Sequence, residues 1–282
     1  MSDIWGSSDF AYVCLRDAVR TTAFKNAIMR TVERNDVVLE VGAGTGILSL
    51  FAAAAGARKV FAVEIDDYLC SCLKETVRAN GLEGVVEILA GDAREIELPA
   101  SVDVVIAELI DTGLVEEPQV PVLNSLIERG VATATTRFVP EAYRTEVQLM
   151  WMDERLYGHV IRAPRHEWPF LARPDDGWVK SEAVERSRRS TVWSGRFAAG
   201  PHQPEVRREL VLPVSPNGPV NALKLCGRVV LARDIELGAT NVMNGDKLLS
   251  LGTEFNASAV ALSISYGMGQ GLGSFLAQVE EA

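Results

Sequence analysis

Two stretches in the first half of the chain carry residues that could do chemistry. EVGAGTG places three glycines at alternate positions, 42, 44 and 46, and AELIDTGLVEE places Glu108 and Glu117 near the two ends of a mostly apolar segment. Glycines let a backbone approach a ligand closely, because no Cβ intervenes. Why an apolar segment carries acids at both ends depends on the residues upstream of it.

The spacing of the glycines favours a cofactor other than a dinucleotide. A dinucleotide fingerprint, G-x-G-x-x-G counted from Gly42, requires glycine at position 47, where the chain has Ile47. The G-x-G-x-G spacing of Gly42, Gly44 and Gly46 is the methyltransferase form of this loop. It suits the adenosyl and methionyl groups of S-adenosylmethionine (SAM) better than a pyrophosphate.

Two further carboxylates follow the glycine loop in the order that a SAM site requires. Glu64 ends the second predicted strand, where a carboxylate can accept hydrogen bonds from both ribose hydroxyls. Asp92, within GDA, ends the third predicted strand, where the adenine would lie. A glycine loop alone is weak evidence, but these three features at successive strand ends predict SAM binding. The alternative is a glycine turn in an α/β domain that binds no nucleotide.

The elements that must position these residues form an α/β pattern. Residues 9–34 are predicted to be helical, with Asp9 as the N-cap. Apolar residues recur there at a spacing of four, at Leu15, Val19, Ala23 and Ala27. Short apolar runs then alternate with helical patterns, and Gly56 is predicted to end the helix after the glycine loop. The alternation predicts a doubly wound, Rossmann-like sheet.

The second half of the chain has a different pattern. Beyond position 140, short alternating runs separated by Gly, Pro and Asn predict a smaller β-rich, barrel-like domain. We therefore predict a helical segment covering the cofactor (1–34), a SAM-binding domain (35–141) and a substrate-binding domain (142–282). Residues 160–204, rich in Pro, Arg, Asp and Trp, are predicted to be an excursion with little regular structure.

Composition narrows the class of protein. The 282 residues have ordinary apolar and charged fractions, which indicates a globular protein with a substantial core. No apolar run approaches the roughly 18 residues of a membrane span, and the first residues lack a signal-peptide pattern, so a cytoplasmic protein is predicted. The formal net charge of −10 argues against broad nucleic-acid binding.

The cysteines and one basic run are predicted to have ordinary structural roles. Four cysteines without metal-ligand spacing predict reduced thiols and no metal site: Cys14, Cys70, Cys72 and Cys226. The basic run at Arg186, Arg188 and Arg189 is predicted to be a solvated loop.

Three stretches together resemble the protein arginine methyltransferases: LRDAVRTTAFKNAI (15–28), VLEVGAGTGILSLFAAAAGARKVFAVE (38–64) and AELIDTGLVEE (107–117). The shared order continues through residues 122–141, and the second half matches in its β-rich pattern. The resemblance implies an arginine N-methyltransferase-like enzyme that uses SAM and releases S-adenosylhomocysteine.

The resemblance also implies individual cofactor contacts. Arg20 would pair with the carboxylate of SAM, which suits the bidentate geometry of a guanidinium. Glu64 would bind the ribose, and Asp92 with Ala93 and Arg94 would bind the adenine. The full expected cofactor set is Arg20, Glu40, Gly42, Gly44, Gly46, Glu64, Ile65, Asp92 and Ala93.

The acids of the 107–117 segment match the two glutamates with which the family clamps a substrate guanidinium. A guanidinium is always charged and is therefore a poor nucleophile. Glu108 and Glu117 would fix its plane and localise its charge away from the nitrogen that attacks the methyl group. The family spacing selects Glu117 over Glu116, while Asp111 stands where the family usually has glycine. The alternative is a solvated acidic turn.

Several family features are missing. Aromatic residues expected in the acidic segment are replaced by Thr112 and Gly113. Ahead of the first helix, the family's tyrosine-rich segment is absent, and the aromatic residue there is Trp5. The threonine–histidine–tryptophan loop of the β-barrel is not visible, and residues 238–246 would take its place. Three histidines are predicted to be surface or packing residues: His159, His166 and His202.

These departures leave the methyl acceptor open. The first hypothesis is a guanidinium of free arginine, of a related small guanidino compound or of a protein arginine. The second is another acceptor, an amine, hydroxyl or carbon of a small molecule in specialised metabolism, or RNA, which the acidic charge disfavours. The third is a SAM-binding subunit without activity. A homodimer is compatible with the sequence, and residues 160–204 could replace the family's dimer arm or form a lid.

Overall fold

The computed structural model describes residues 9–98, 101–169, 179, 181–216 and 218–282. Trp5 therefore lies outside the described residues. Within these ranges the chain forms a five-stranded parallel sheet followed by an antiparallel β-rich region. The predicted fold class is confirmed, whereas the division into three segments stays a prediction.

The N-terminal helical region is broken in a way that the sequence pattern missed. It consists of α1 (Phe10–Arg16) and α2 (Ala18–Thr31), separated by Asp17 in an extended conformation. The Asp17 side chain accepts the N–H of Arg20 at 3.1 Å and so caps α2. The prediction of one helix over 9–34 was wrong, because this local hydrogen bond competes with helix continuation.

The buried face of α2 also differs from the predicted stripe. Val19 is 62% exposed, whereas Arg20, Phe24, Ala27 and Ile28 are buried. The predicted spacing of four included Ala27 and the partly buried Ala23, which also packs against the core, but missed the rest of this face. A positively charged residue at the start of the buried face indicates that the helix packs against a site as well as a core.

The parallel sheet has the order β3-β2-β1-β4-β5. Its elements are β1 (Val37–Val41), α3 (Ile47–Ala55), β2 (Lys59–Glu64), α4 (Asp67–Ala79), β3 (Val86–Ala90), β4 (Val104–Ala107), α5 (Gln119–Glu128) and β5 (Arg137–Val139). Gly56 ends α3 with φ of 105°, as predicted. The strand order reverses between β1 and β4, so a ligand crevice is expected at the carboxyl ends of these two strands.

The β-rich region begins directly after β5. Its strands are β6 (Ala142–Met152), β7 (Arg155–Leu156), β8 (His159–Val160), β9 (Arg165–Glu167), β10 (Ala183–Glu185), β11 (Ser190–Arg196), β12 (Glu205–Pro213), β13 (Val220–Ala232), β14 (Ile235–Leu237), β15 (Asp246–Phe255), β16 (Ala259–Gly267) and β17 (Leu276–Glu281). Strands β10-β6-β13-β15-β9 form the main antiparallel sheet, with β11 also paired to β6, and β12-β16-β17 form a second sheet.

The region at 160–204 is more regular than predicted. It contains β9, β10 and the seven-residue β11, two of which pair with β6. The basic run is the connection between β10 and β11, in which Arg188 and Arg189 are exposed as predicted, while the N–H of Arg186 donates to Leu149 O at 2.8 Å and Ser187 is buried. Long charged side chains can leave a strand edge while its backbone completes a sheet, so composition alone was misleading.

One hydrophobic core extends through both regions. It joins Phe24 and Ile106 of the first region to Leu225 and Tyr266 of the second, with Leu114 of the acidic segment between them. The acidic segment therefore lies in the packed contact between the two sheets.

Among the described residues, no helix is both long and apolar enough to cross a membrane.

Candidate active site

The glycine loop connects β1 to α3 at the predicted crevice. Gly42, Gly44 and Gly46 have φ of +69°, +53° and +81°, a backbone region that L side chains rarely adopt. A Cβ on Gly42 would lie 2.8 Å from Leu109 Cδ2, and one on Gly46 would overlap Leu73. Glycine is therefore required by conformation and by space at the turn.

Helix α1 lies over this loop. Ala11 Cβ is 3.4 Å from the position that a Cβ on Gly44 would take. Beneath the loop, Glu40 is 1% exposed and accepts a hydrogen bond from the Ser49 hydroxyl. Burial raises the pKa of Glu40 to about 8. Glu40 thus joins β1 to α3 under the loop.

The Glu64 carboxylate faces the glycine loop from the end of β2. It accepts the N–H of Gly44 at 2.7 Å with one oxygen and the N–H groups of Ile65 and Asp66 at 2.8 and 3.0 Å with the other. The side chain is buried, whereas Ile65 is 65% exposed. A carboxylate held there by backbone donors is placed at the strand end where a ribose is expected.

Asp92 follows the end of β3, next along the same edge. Its carboxylate accepts the backbone N–H of Arg94 at 2.8 Å and also pairs with the Arg94 guanidinium. These hydrogen bonds lower the pKa of Asp92. Ala93 is buried, and its carbonyl accepts Arg129 Nη1 at 3.1 Å. The three residues predicted for the adenine thus form one ordered turn.

Arg20 of α2 pairs with Glu108, which directly follows β4. The guanidinium also donates to Cys14 O at 3.3 Å and lies 5.4 Å from the centre of the Phe24 ring. Burial opposes the charge of Arg20, but the Glu108 carboxylate, together with Cys14 and Asp17, more than compensates, so the pKa of Arg20 is raised. The predicted cofactor arginine therefore contacts one of the two predicted catalytic glutamates.

The acidic segment, residues 107–117, is held at both flanks. On the first sheet's side, Gln119 Nε2 donates to Ala107 O at 2.9 Å, and its Oε1 accepts the N–H of Leu109 at 3.0 Å. On the β-rich side, the buried Tyr143 hydroxyl accepts the N–H of Gly113 at 2.9 Å and donates to Asn244 Oδ1 at 2.7 Å. The two ends of the segment are thereby fixed relative to each other.

Backbone hydrogen bonds from the region after β16 complete this attachment. The N–H of Gly269 donates to Leu114 O at 3.1 Å, and the N–H of Gly271 donates to Val115 O at 2.8 Å. A loop fixed by so many donors keeps its side chains in place without a ligand.

Glu117 lies at the far end of the segment, close to Glu108. Its N–H donates to Asp111 Oδ1 at 3.1 Å. Burial, reinforced by the negative charges of Glu108 and Asp111, raises the pKa of Glu117 well above its usual range. Within the described ranges, no donor makes a hydrogen bond to the Glu117 carboxylate. Among the residues that the structure describes, the site thus contains one glutamate paired with Arg20 and one without such a partner.

Sequence reasoning missed the residues that the β-rich region adds around the segment. Lys247 of β15 is 2% exposed, and its ammonium lies 2.8 Å from Asp111 Oδ2 and also pairs with Glu116. The available sign was Asp111 itself, an acid in a position where the resembled family has glycine. An acid there requires a partner if it is buried.

An imidazole and an indole cover the start of β15. His166 Nε2 lies 2.9 Å from Gly245 O, its ring centre lies 4.1 Å from that of Trp168 with the planes tilted by 37°, and a Cβ on Gly245 would lie 2.5 Å from the indole. Thr112 Oγ1 donates to the same Gly245 carbonyl at 2.5 Å. His166 is a packing histidine, as predicted, but it packs beside the acidic segment.

The loop at 238–246 contacts the N-terminal helices. Asp17 Oδ2 accepts the N–H of Val242 at 3.1 Å, in addition to capping α2 with its other oxygen. The loop predicted to replace a family motif is therefore tied to the helix that carries Arg20. In the part of the chain that the structure describes, no group of His, Cys, Asp and Glu is arranged to hold a metal ion.

Solved structures share this architecture. The PRMT1 enzyme–prozyme heterotetrameric complex of Trypanosoma brucei with AdoHcy has a TM-score of 0.74 at 19% identity, covering 97% of both chains. The protein arginine methyltransferase 10 structure of Arabidopsis thaliana has a TM-score of 0.71 at 18% identity, covering 94% of this chain and 95% of that one. At these identities the likeness is one of fold.

Sequence relatives decide the family. The TRM5/TYW2 methyltransferase domain matches residues 17–120. The chain is 32% identical over 263 residues to the uncharacterized protein MJ1452 of Methanocaldococcus jannaschii, covering 93% of each, so both belong to one family. It is 48% identical over 97 residues to protein arginine N-methyltransferase 1.1 of Arabidopsis thaliana, which is 33% of this chain and 25% of that relative. The chain is a class I SAM-dependent methyltransferase of the arginine N-methyltransferase-like type.

The residues of this methyltransferase fit SAM. A Cβ on Gly42 or on Gly46 would clash with a neighbouring leucine, a carboxylate faces the turn from β2, and Arg20 is buried beside Glu108. The predictions of SAM as cofactor and of S-adenosylhomocysteine as product are confirmed. The roles of the individual residues, Glu108 and Glu117 included, stay predictions.

Proposed function

We propose that this methyltransferase transfers the methyl group of SAM to a guanidinium nitrogen of arginine, free or within a protein. The observation that supports this is the contrast between the two glutamates. Glu108 pairs with Arg20, while the carboxylate of Glu117 accepts no hydrogen bond from the described residues. A planar cation with several N–H donors matches that geometry and charge.

The electrostatics of the segment support a cationic acceptor. Burial raises the pKa of Glu117, and the nearby negative charge of Glu108 raises it further. A bound guanidinium would relieve this repulsion and replace water at both carboxylates. The alternative amine acceptor carries the same charge but cannot present two parallel N–H donors to each of two carboxylates.

In the proposed mechanism the protein positions the acceptor and handles its proton. SAM supplies an electrophilic methyl group when bound by the residues of the glycine loop, with Arg20 and Glu64. Glu108 and Glu117 hold the guanidinium plane and draw its positive charge away from the attacking nitrogen. Glu117, whose raised pKa reflects a high proton affinity, accepts the proton that this nitrogen loses.

The size of the acceptor belongs to the same proposal. The relatives that match the first part of the chain are named for protein arginine, which supports a protein acceptor. The replacement of aromatic residues by Thr112 and Gly113 in the acidic segment supports a smaller one.

A homodimer also stays a prediction, and light scattering of the purified protein would test it.

Release of S-adenosylhomocysteine should be measured with free arginine, with an arginine–glycine-rich peptide and without acceptor, with mass spectrometry of the products. We expect turnover with at least one arginine acceptor and a loss of about 100-fold or more in Glu108→Gln and in Glu117→Gln. Glu128→Gln, an exposed acid on α5, is the matched control and should retain activity.

The acceptor pattern decides between the alternatives. Methylated free arginine would establish a small-molecule enzyme, and methylated peptide alone would establish a protein-modifying one. Full activity of Glu117→Gln on the acceptor that turns over would refute the guanidinium clamp.

A further inference from the structure

A chain of charged contacts leads from the β-rich region to Glu117. Lys247 is almost completely buried, and its ammonium lies 2.8 Å from Asp111 Oδ2. The other oxygen of Asp111 accepts the N–H of Glu117 at 3.1 Å. Lys247 also pairs with Glu116, the neighbour of Glu117. The contacts thus reach the predicted catalytic glutamate through its backbone.

Stability alone is a weak reason for this arrangement. Removing two charges from water costs several kcal/mol per ion, and well-packed apolar residues are often at least as stable as a buried ion pair. Leu225 stands opposite Lys247 on β13, so an apolar neighbourhood is available in this sheet. A role in positioning neighbouring residues is therefore a better reason for the Lys247–Asp111 pair than stability.

We propose that Asp111 and Lys247 are positioning residues for Glu117: the carboxylate fixes its backbone, and the ammonium balances the excess negative charge of the acceptor site. The inference rests on the proposed function, because it takes Glu117 as the glutamate that binds the acceptor. It adds a residue that lies outside the matched methyltransferase segment, which ends at position 120.

The charge balance around Glu117 makes the inference specific. The charged and titratable groups that face it are Cys14 of α1, Arg20 of α2, Glu108 after β4, Asp111 of its own segment and Lys247 of β15. Glu108 and Asp111 raise the pKa of Glu117, whereas Arg20 and Lys247 lower it. Removing Lys247 and removing the charge of Asp111 must therefore act in opposite directions.

Two variants and their combination test this prediction. Asp111→Asn removes one negative charge but keeps an oxygen that can accept the N–H of Glu117. Lys247→Met removes the ammonium and keeps an unbranched side chain. We expect Glu117 to titrate at lower pH in Asp111→Asn, at higher pH in Lys247→Met, by about one pH unit each, and near the wild-type position in the double variant.

The titration can be followed without any acceptor. Carbon NMR of protein labelled at the glutamate side-chain carboxyl would report it directly, with Glu117→Gln identifying the signal. Lys224→Met is the matched control, because Lys224 is similarly buried but pairs with Glu185 at 2.8 Å and, by strand alternation, faces the other side of the sheet. It should leave the titration unchanged.

Kinetics provide the second measurement. The acidic limb of kcat/KM against pH should move in the same order as the titrations. Shifts in the same direction for both single variants, or lost activity with no shift, would overturn the inference in favour of a purely structural pair. If Lys247→Met does not fold, Asp111→Asn and the double variant still decide. Failure of the proposed function would appear separately, as wild-type protein that methylates no guanidino compound.

Discussion

Four glutamates near the crevice, Glu40, Glu64, Glu108 and Glu117, differ mainly in their partners. Glu40 accepts a hydrogen bond from a hydroxyl, Glu64 accepts hydrogen bonds from backbone N–H groups, and Glu108 forms an ion pair with a guanidinium. Glu117 is held through its backbone, and its carboxylate is left for the acceptor in the proposed function. In the proposed function the same side-chain type thus serves as a structural tie, a cofactor contact and a substrate clamp, because its surroundings differ.

Glu40 gives a pH dependence of stability at this scale. Its folded pKa of about 8 exceeds its ordinary value of 4.5, so the folded state keeps a proton that the unfolded chain releases between these pH values. The free energy of unfolding should therefore fall as pH rises through this window, by up to about 1.4 kcal/mol per pH unit from this group. Glu40→Gln should reduce the slope.

Denaturant unfolding of the SAM-free protein from about pH 5.5 to 8.5 measures this slope. Glu83→Gln, at an exposed position, serves as the control and should leave it unchanged. Equal slopes in wild type and Glu40→Gln would contradict the prediction. Glu117 contributes with the same sign, because its pKa is also raised, so some slope remains in the variant.

Sequence reasoning reached the residues whose meaning is local. Glu64 ends one apolar strand-like run, Glu108 directly follows another, and the glycine loop is contiguous, so their places in the fold could be predicted, whereas the role predicted for Glu108 came from the resemblance to a family. Lys247 could not be found in this way, because it lies 136 residues from Asp111 and their contact depends on the register of β15. Ion pairs across sheets leave no local pattern in a sequence.

Among the elements, the strand–helix alternation was predictable because both faces of a parallel sheet are buried and its strands become short apolar runs. The break between α1 and α2 was not, because helix periodicity does not register a side chain that caps the next helix. Strand β11 was hidden by its composition, since Ser190–Arg196 mixes small, aromatic and charged residues and owes its conformation to pairing with β6.

The turn between β1 and α3 should be intolerant of any side chain at Gly46. An alanine there would adopt a strained φ and overlap Leu73, so we expect Gly46→Ala to destabilise the protein by about 2–4 kcal/mol and to weaken SAM binding at least tenfold. Calorimetric titration with SAM and denaturant unfolding would measure both effects.

Gly81→Ala separates the two causes. Gly81 also has a positive φ, +66°. A Cβ at this position would have no atom of the described residues within 4 Å. We expect a cost of about 1 kcal/mol and unchanged SAM affinity. If Gly46→Ala bound SAM as tightly as Gly81→Ala, the glycine loop would not be the cofactor loop.

At the scale of the whole molecule, the division into three segments stays a prediction, and the main hydrophobic core joins residues of both the parallel-sheet region and the β-rich region. Backbone N–H groups of the acidic segment donate to Gln119 Oε1 on one side and to the Tyr143 hydroxyl on the other. Where two sheets meet cannot be read from composition, because it depends on which surfaces pack together. We therefore expect neither half to keep a formed acceptor site alone.

The overall charge gives a prediction about the acceptor. With a formal net charge of −10 and several acids around the site, the protein should attract a cationic acceptor through a long-range field. At saturating SAM, the KM for the arginine acceptor should rise several-fold between about 0.02 and 0.2 M ionic strength, with little change in kcat. A KM independent of salt would argue against a cationic acceptor.

The attachment of the acidic segment by Gly269 and Gly271 has a consequence for the order of synthesis. These two N–H groups hold the carbonyls of Leu114 and Val115, between the two glutamates. A ribosome makes Glu108 and Glu117 long before it makes the donors that fix the loop between them. A nascent chain can therefore fold its glycine loop early, yet its acceptor site is completed only after residue 271 has emerged.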